Sequence, residues 1–105
     1  MNEKMVEDAM TLILHAGNAR SIVIEAMNMY VEDQDYKQAA QKIVEAQEEI
    51  GKAHQIQTDL LFEEMQGKEL DRIGILMIHA QDHFMNAMTV CDLAKLMIDM
   101  NQAKG

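Results

Sequence analysis

Residues 73–100 read IGILMIHAQDHFMNAMTVCDLAKLMIDM, and the reading of this stretch decides the fold. On a helix, Ile73, Met77, Ala80, Phe84, Ala87, Cys91, Ala94 and Ile98 recur at spacings of three and four and form one apolar face. Ile75, Leu76, Ile78, Met85, Met88, Val90, Leu93, Leu96, Met97 and Met100 spread around much of the remaining circumference. A helix that is apolar on most sides needs neighbours on most sides. Two further helices from the same chain are too few to cover it. The missing cover is therefore expected from other copies of the chain, arranged in closed symmetry with this helix at the centre.

The rest of the chain supplies those two helices. Polar patches at Glu32-Asp33-Gln34-Asp35 and Gln66-Gly67-Lys68-Glu69 divide it into segments of roughly Glu3 to Val31, Asp35 to Gln66 and Leu70 to Gln102. The first segment carries the stripe Met5, Ala9, Leu12, Ala16, Ala19, Val23, Ala26 and Tyr30. A second stripe beside it, Val6, Met10, Ile13, Gly17, Ile24 and Met27, is interrupted only by Arg20. The middle segment carries Tyr36, Ala40, Ile43, Ile50 and Leu61, flanked by Ala39, Ala46, Ala53 and Leu60, with Gln47, His54 and Gln57 intruding. Asp35 is placed to cap the middle helix with Gln38 three residues on, and Gly67 suits the left-handed position after a helix end. Short connections make sequential helices antiparallel neighbours. The expectation is one domain, 1–105, all-α, an up-down-up three-helix bundle. The absence of proline and the aliphatic, Met-rich composition (eleven Met, no Trp) agree with helices throughout.

The charge balance excludes some classes of partner. Eighteen acidic residues against nine basic leave a formal charge of −9, which opposes nucleic acid and anionic membranes alike. A single cysteine, Cys91, cannot close a disulfide within the chain and lies on the core stripe, where it reads as a small hydrophobe. A polar N-terminus and the lack of a long uncharged apolar run lead to the expectation of a cytoplasmic protein with no membrane insertion.

The segment His79-Ala80-Gln81-Asp82-His83 is where chemistry is expected. Spacings of three and four place His79, Asp82 and His83 on neighbouring parts of one helix face. Covering two imidazoles and a carboxylate is costly unless they are paired, metal-bound or used. A neutral imidazole is a competent nucleophile near pH 7 and can accept a phosphoryl group, with Gln81 or His83 as stabilising donors. A metal site at helical His and carboxylate spacing is the other reading, weakened by the lack of Glu-x-x-His pairs. A hydrogen-bonded core histidine is the third. Were this helix to line a rotation axis, Asp82 from each copy would meet the others there, and a hard divalent cation such as Mg²⁺ would relieve the repulsion. Otherwise Asp82 is a plain surface carboxylate. His15 and His54 read as structural, and Arg20 as half of an ion pair or as a phosphate contact.

Several segments together resemble the IIA component of the lactose/cellobiose class of the bacterial phosphoenolpyruvate-dependent sugar phosphotransferase system. They are 15–21 (HAGNARS), Glu45-Ala46 onward, His54, Gln57-Thr58 and, most specifically, 77–85 (MIHAQDHFM). The resemblance spans essentially the whole chain. It implies a homotrimer of nine helices, with His79 phosphorylated through Nε2 and Asp82 binding one metal ion shared on the threefold axis. It also implies sites at subunit interfaces, where Gln81 and His83 assist a His79 from a neighbouring copy. The implied partners are the histidine-phosphocarrier protein as donor and the active-site cysteine of a cognate IIB component as acceptor, with the sugar entering through IIC. Phe84 stands where members of the class often carry Leu, and the chain is unusually rich in Met.

Overall fold

The computed structural model describes residues 3–67 and 74–104, with side chains through Gln102. Three helices make up nearly all of it: α1 Glu3–Asn28, α2 Tyr36–Met65 and α3 Ile75–Lys104. The expected start of the third helix at Leu70, together with Ile73, Lys68 and Glu69, lies outside the described residues. α1 does not simply stop near Val31. Its last turn widens into a single π-helical turn, Met29–Asp33, closed by Gln34 at φ 54°, whose N–H reaches Met29 O. Asp35 then caps α2, its carboxylate accepting from the Gln38 N–H at 3.1 Å. Gly67 takes φ 80° after α2, as its position required.

Two apolar clusters fix the direction of the helices. One joins Met5, Ala9, Leu12 and Ala16 to Ala53 and Leu60 and to Met77, Ala80, Phe84 and Ala87. The other joins Ala19, Val23 and Ala26 to Ala39, Ile43 and Ala46 and to Cys91, Ala94 and Ile98. The start of α1 thus meets the end of α2 and the start of α3, which is the up-down-up arrangement. The result is a rod of 52 × 21 × 16 Å. Alanine returns every seventh residue at 39, 46 and 53 and at 80, 87 and 94, which lets the axes approach closely.

The first stripe of the leading segment and the stripe of α3 from Met77 onward are buried as their spacing predicts, except that Tyr30 is only half-buried. On α2 the core line is Ala39, Ile43, Ala46, Ala53 and Leu60, so the residues expected as its flank are its centre. Leu61 is 53% exposed, and His54 and Gln47 point outward. Alanine at 39, 46 and 53 lets α2 approach α1 and α3 closely, with Ile43 and Leu60 filling the space between those contacts.

The outer side of α3 remains apolar and open. Ile75, Ile78, Met85, Leu93, Leu96 and Met100 follow one another along it at spacings of three, four, seven and eight, each between 44% and 83% exposed. Thr89 completes the line, its hydroxyl turned back to Met85 O at 3.1 Å. On α1, Val6, Met10 and Ile24 form a shorter open stripe. One chain covers the inner face of its helices only.

Candidate functional site

His79 and His83 stand one turn apart on α3 with their rings edge to face, centroids 5.4 Å apart and planes at 87°. Helical spacing brings the pair together, and the buried Ala80 and Phe84 next to them anchor that turn in the core. The expectation that these groups are covered does not hold for one chain. His79 and Asp82 are exposed, His83 is half-buried, and no described polar side chain is fully buried. α1 and α2 lie on the Ala80/Phe84 side, leaving the His79 and Asp82 directions uncovered. Asp82 falls in the middle of the open apolar line, between Ile78 and Met85, as its only charged member.

Gln81 turns to the other flank of α3. Its Oε1 accepts from Gln57 Nε2 on α2 at 2.8 Å, while its own Nε2 lies 3.7 Å from Met77 Sδ. Gln57 also approaches Met85 Sδ at 3.5 Å. This cross-helix amide pair fixes a side chain two residues from His79, and intra-helical spacing gave no hint of it. Gln57 was legible only as a polar intrusion into an apolar series.

On the α1 flank, Arg20, Asp82, His83 and Asn86 line an open cleft of about 350 Å³. The sequence reading had linked neither Arg20 nor Asn86 to the histidine pair. The ion pair expected of Arg20 is absent among the described residues.

His15 sits away from this cluster, its Nδ1 2.6 Å from Glu49 Oε2 across the α1–α2 seam. That hydrogen bond, more than the nearby Lys52, holds the Glu49 carboxyl below its usual range. His15 is thus engaged with α2 and not with the histidine pair of α3. His54 is exposed and tilted against Phe84, ring centroids 6.2 Å apart. Burial raises the Cys91 thiol above its ordinary range, with Asp92 adding to the effect, so Cys91 is a poor nucleophile. Among the described residues, no three His, Cys, Asp or Glu side chains come together within one chain as an ion would require. A metal site built from His79, Asp82 and His83 of a single chain has no support among the described residues.

Comparison with known proteins bears directly on this cluster. The family described as "PTS system, Lactose/Cellobiose specific IIA subunit" matches residues 7–102, the whole of the site included. The chain belongs to the lactose/cellobiose-specific IIA family of the phosphotransferase system. As a IIA component it is a phosphocarrier. It is 43% identical over 100 residues to the lichenan-specific phosphotransferase enzyme IIA component of Bacillus subtilis, covering 95% of this chain and 89% of that protein. It is 39% identical over 89 residues to the lactose-specific EIIA component of Staphylococcus epidermidis, covering 85% and 84%. Among solved structures, PtcA from S. mutans superposes with a TM-score of 0.88 at 45% identity, covering 97% of this chain and 99% of that one. The cellobiose-specific enzyme IIA of Bacillus anthracis gives 0.85 at 40%, covering 100% and 97%. For this IIA chain, none of the described helices is long and apolar enough to cross a membrane.

Proposed function

We propose that His79 is the residue that carries the phosphoryl group, accepting it through Nε2 from the histidine-phosphocarrier protein and yielding it to the active-site cysteine of a cognate IIB component. The observation that carries this reading is the exposed His79 with the half-buried His83 edge-on to it, inside the family match. His79 is reachable by a docking protein, the turn that carries it is held by the buried Ala80 and Phe84, and the His83 ring stands beside it. Imidazole is a suitable carrier because its neutral form is nucleophilic near pH 7 and releases the group readily. Gln81 and His83 are assigned to the phosphoryl oxygens, where positioned donors supply most of the catalysis in phosphoryl transfer. Gln81, which Gln57 holds on the α2 flank, would serve a His79 from a neighbouring copy.

The working unit in this reading is a homotrimer of nine helices in the cytoplasm. The open apolar line of α3 supports it, since burying half-exposed Ile, Leu and Met side chains against copies of themselves is favourable. Asp82 fits the same assembly. It is the one charge on that line, without an ion-pair partner among the described residues, and its oxygens are hard donors. Asp82 from three copies would hold one divalent ion, Mg²⁺ by donor chemistry, which supplies charge neutralisation in an apolar interface. Assembly also brings other copies up to the exposed side of His79, and excluding water there protects a phosphohistidine from hydrolysis.

The test is incubation with phosphoenolpyruvate, Enzyme I and the histidine carrier. The expected result is an acid-labile mass gain of one phosphoryl group, lost in His79→Gln. Wild-type protein that gains nothing while the upstream proteins are active overturns the reading.

A further inference from the structure

Four of the described cations are paired: Lys4 with Asp8, Lys42 with Glu25 and Glu45, Lys52 with Glu49, and Lys95 with Asp99. Arg20 is not. In a chain with a formal charge of −9, its guanidinium is left without hydrogen bond or ion pair among the described residues. It faces a cleft of about 350 Å³ whose other walls are His83, Asn86 and Asp82. Arg20 and Asn86 carry N–H donors, and His83 offers a ring nitrogen. Such a set suits an oxyanion rather than a sugar or an apolar ligand. The cleft adjoins His79, whose ring lies 5.4 Å from that of His83.

We propose that Arg20, with Asn86 and His83, binds the oxygens of the phosphoryl group while it resides on His79. This rests on His79 being the carrier. Guanidinium is the group of choice because its planar fork meets two phosphoryl oxygens at once. The transfer exchanges one N–P bond for another. The lone pair of a neutral His79 ring forms the new bond, the donor imidazole departs with the electron pair of the old one, and each ring keeps the proton on its second nitrogen. No charge is created overall, so the work left to the protein is to hold a dianion in an acidic molecule. Arg20 does that from α1, against Asp82, the one opposing charge among the walls of the cleft. Arg20 interrupts the second apolar stripe of α1 because the position has a ligand to meet.

Transfer from phosphorylated histidine carrier is followed by mass and by ³¹P NMR in wild type, Arg20→Gln, Arg20→Lys and Lys37→Gln. Lys37 is an exposed cation at the start of α2 and controls for loss of a positive charge. Loss of a charge-assisted contact predicts transfer about tenfold slower in Arg20→Gln at saturating carrier. The phosphohistidine resonance should move, Arg20→Lys should recover part of the rate, and Lys37→Gln should match wild type. Wild type without phosphoryl on His79 overturns both this proposal and the carrier reading. Wild type that is phosphorylated, with Arg20→Gln unchanged in saturated rate and resonance, overturns this proposal alone. So does a defect confined to limiting carrier, which assigns Arg20 to docking. Should Arg20→Gln fail to fold or assemble, Asn86→Ala removes a donor from the opposite wall and carries the same expectation and refutation.

Discussion

Replacing Asp82 with leucine separates a surface carboxylate from an axial one. In an isolated chain Asp82 is exposed and unpaired among the described residues, so the change belongs with ordinary surface substitutions, within about 0.5 kcal/mol of neutral. In a trimer closed on the open line of α3, three carboxylates converge. At a separation of ~6 Å and an effective dielectric constant of ~20, each pair repels by about 3 kcal/mol unless a cation intervenes. Leucine removes that repulsion and adds about 2 kcal/mol of apolar burial per chain between Ile78 and Met85. A gain of this size in a chain of 105 residues raises the melting midpoint by roughly 10 °C. The assay is thermal melting by far-ultraviolet circular dichroism at one fixed protein concentration, with divalent cation and with chelator. Chelator should lower the midpoint of wild type and leave Asp82→Leu unmoved. A variant that melts at or below wild type in both conditions, or a chelator effect equal in the two proteins, refutes the axial placement.

Three other outcomes follow from the same packing. Leu96→Asp puts a charge on the open line of α3, where Leu96 is 55% exposed in one chain, and should shift sedimentation toward monomer while helix content holds. Phe84 is fully buried among alanines, so Phe84→Ala should cost about 3–5 kcal/mol by urea titration, and Phe84→Leu far less. Glu49 has a folded-state pKa below its ordinary value of 4.5 because His15 hydrogen-bonds to it; its stabilisation is present above that value and lost as pH falls through the folded pKa. Glu49→Gln should therefore be less stable than wild type near pH 6, the two stabilities converging in strong acid.

The inner faces were legible because they depend on one property at one spacing. Met77, Ala80, Phe84, Ala87, Cys91, Ala94 and Ile98 are buried as their period predicts, and the excess apolar residues of α3 other than the half-buried Leu76 and Met88 are exposed, as counting its neighbours predicts. The centre of α2 was misplaced because a stripe of alanines competes poorly with a stripe of larger hydrophobes when hydrophobicity alone is weighed. Close packing reverses that order. The histidine pair was legible because both members share a helix. The Gln57–Gln81 bond, the His15–Glu49 bond and the Arg20–Asn86 cleft were not, since each joins residues 24 to 66 apart through the relative rotation of two helices. Periodicity specifies which face a residue occupies and is silent on what stands opposite.

The charged interruptions of the two open apolar stripes converge on one place. The second stripe of α1 is broken by Arg20, the outer line of α3 by Asp82, and both side chains line the cleft walled by His83. If assembly were the only demand on these stripes, apolar residues at both positions would serve it better, because a buried charge costs several kcal/mol that only an excellent partner repays. Two independent departures from the pattern could have fallen anywhere along helices of 26 and 30 residues. That they fall beside the histidine pair is the mark of a site whose chemistry takes precedence over packing. The inner stripes carry no such departure, and it is they that keep the three helices together, while the outer ones carry the two charges on which the proposed carrier site draws.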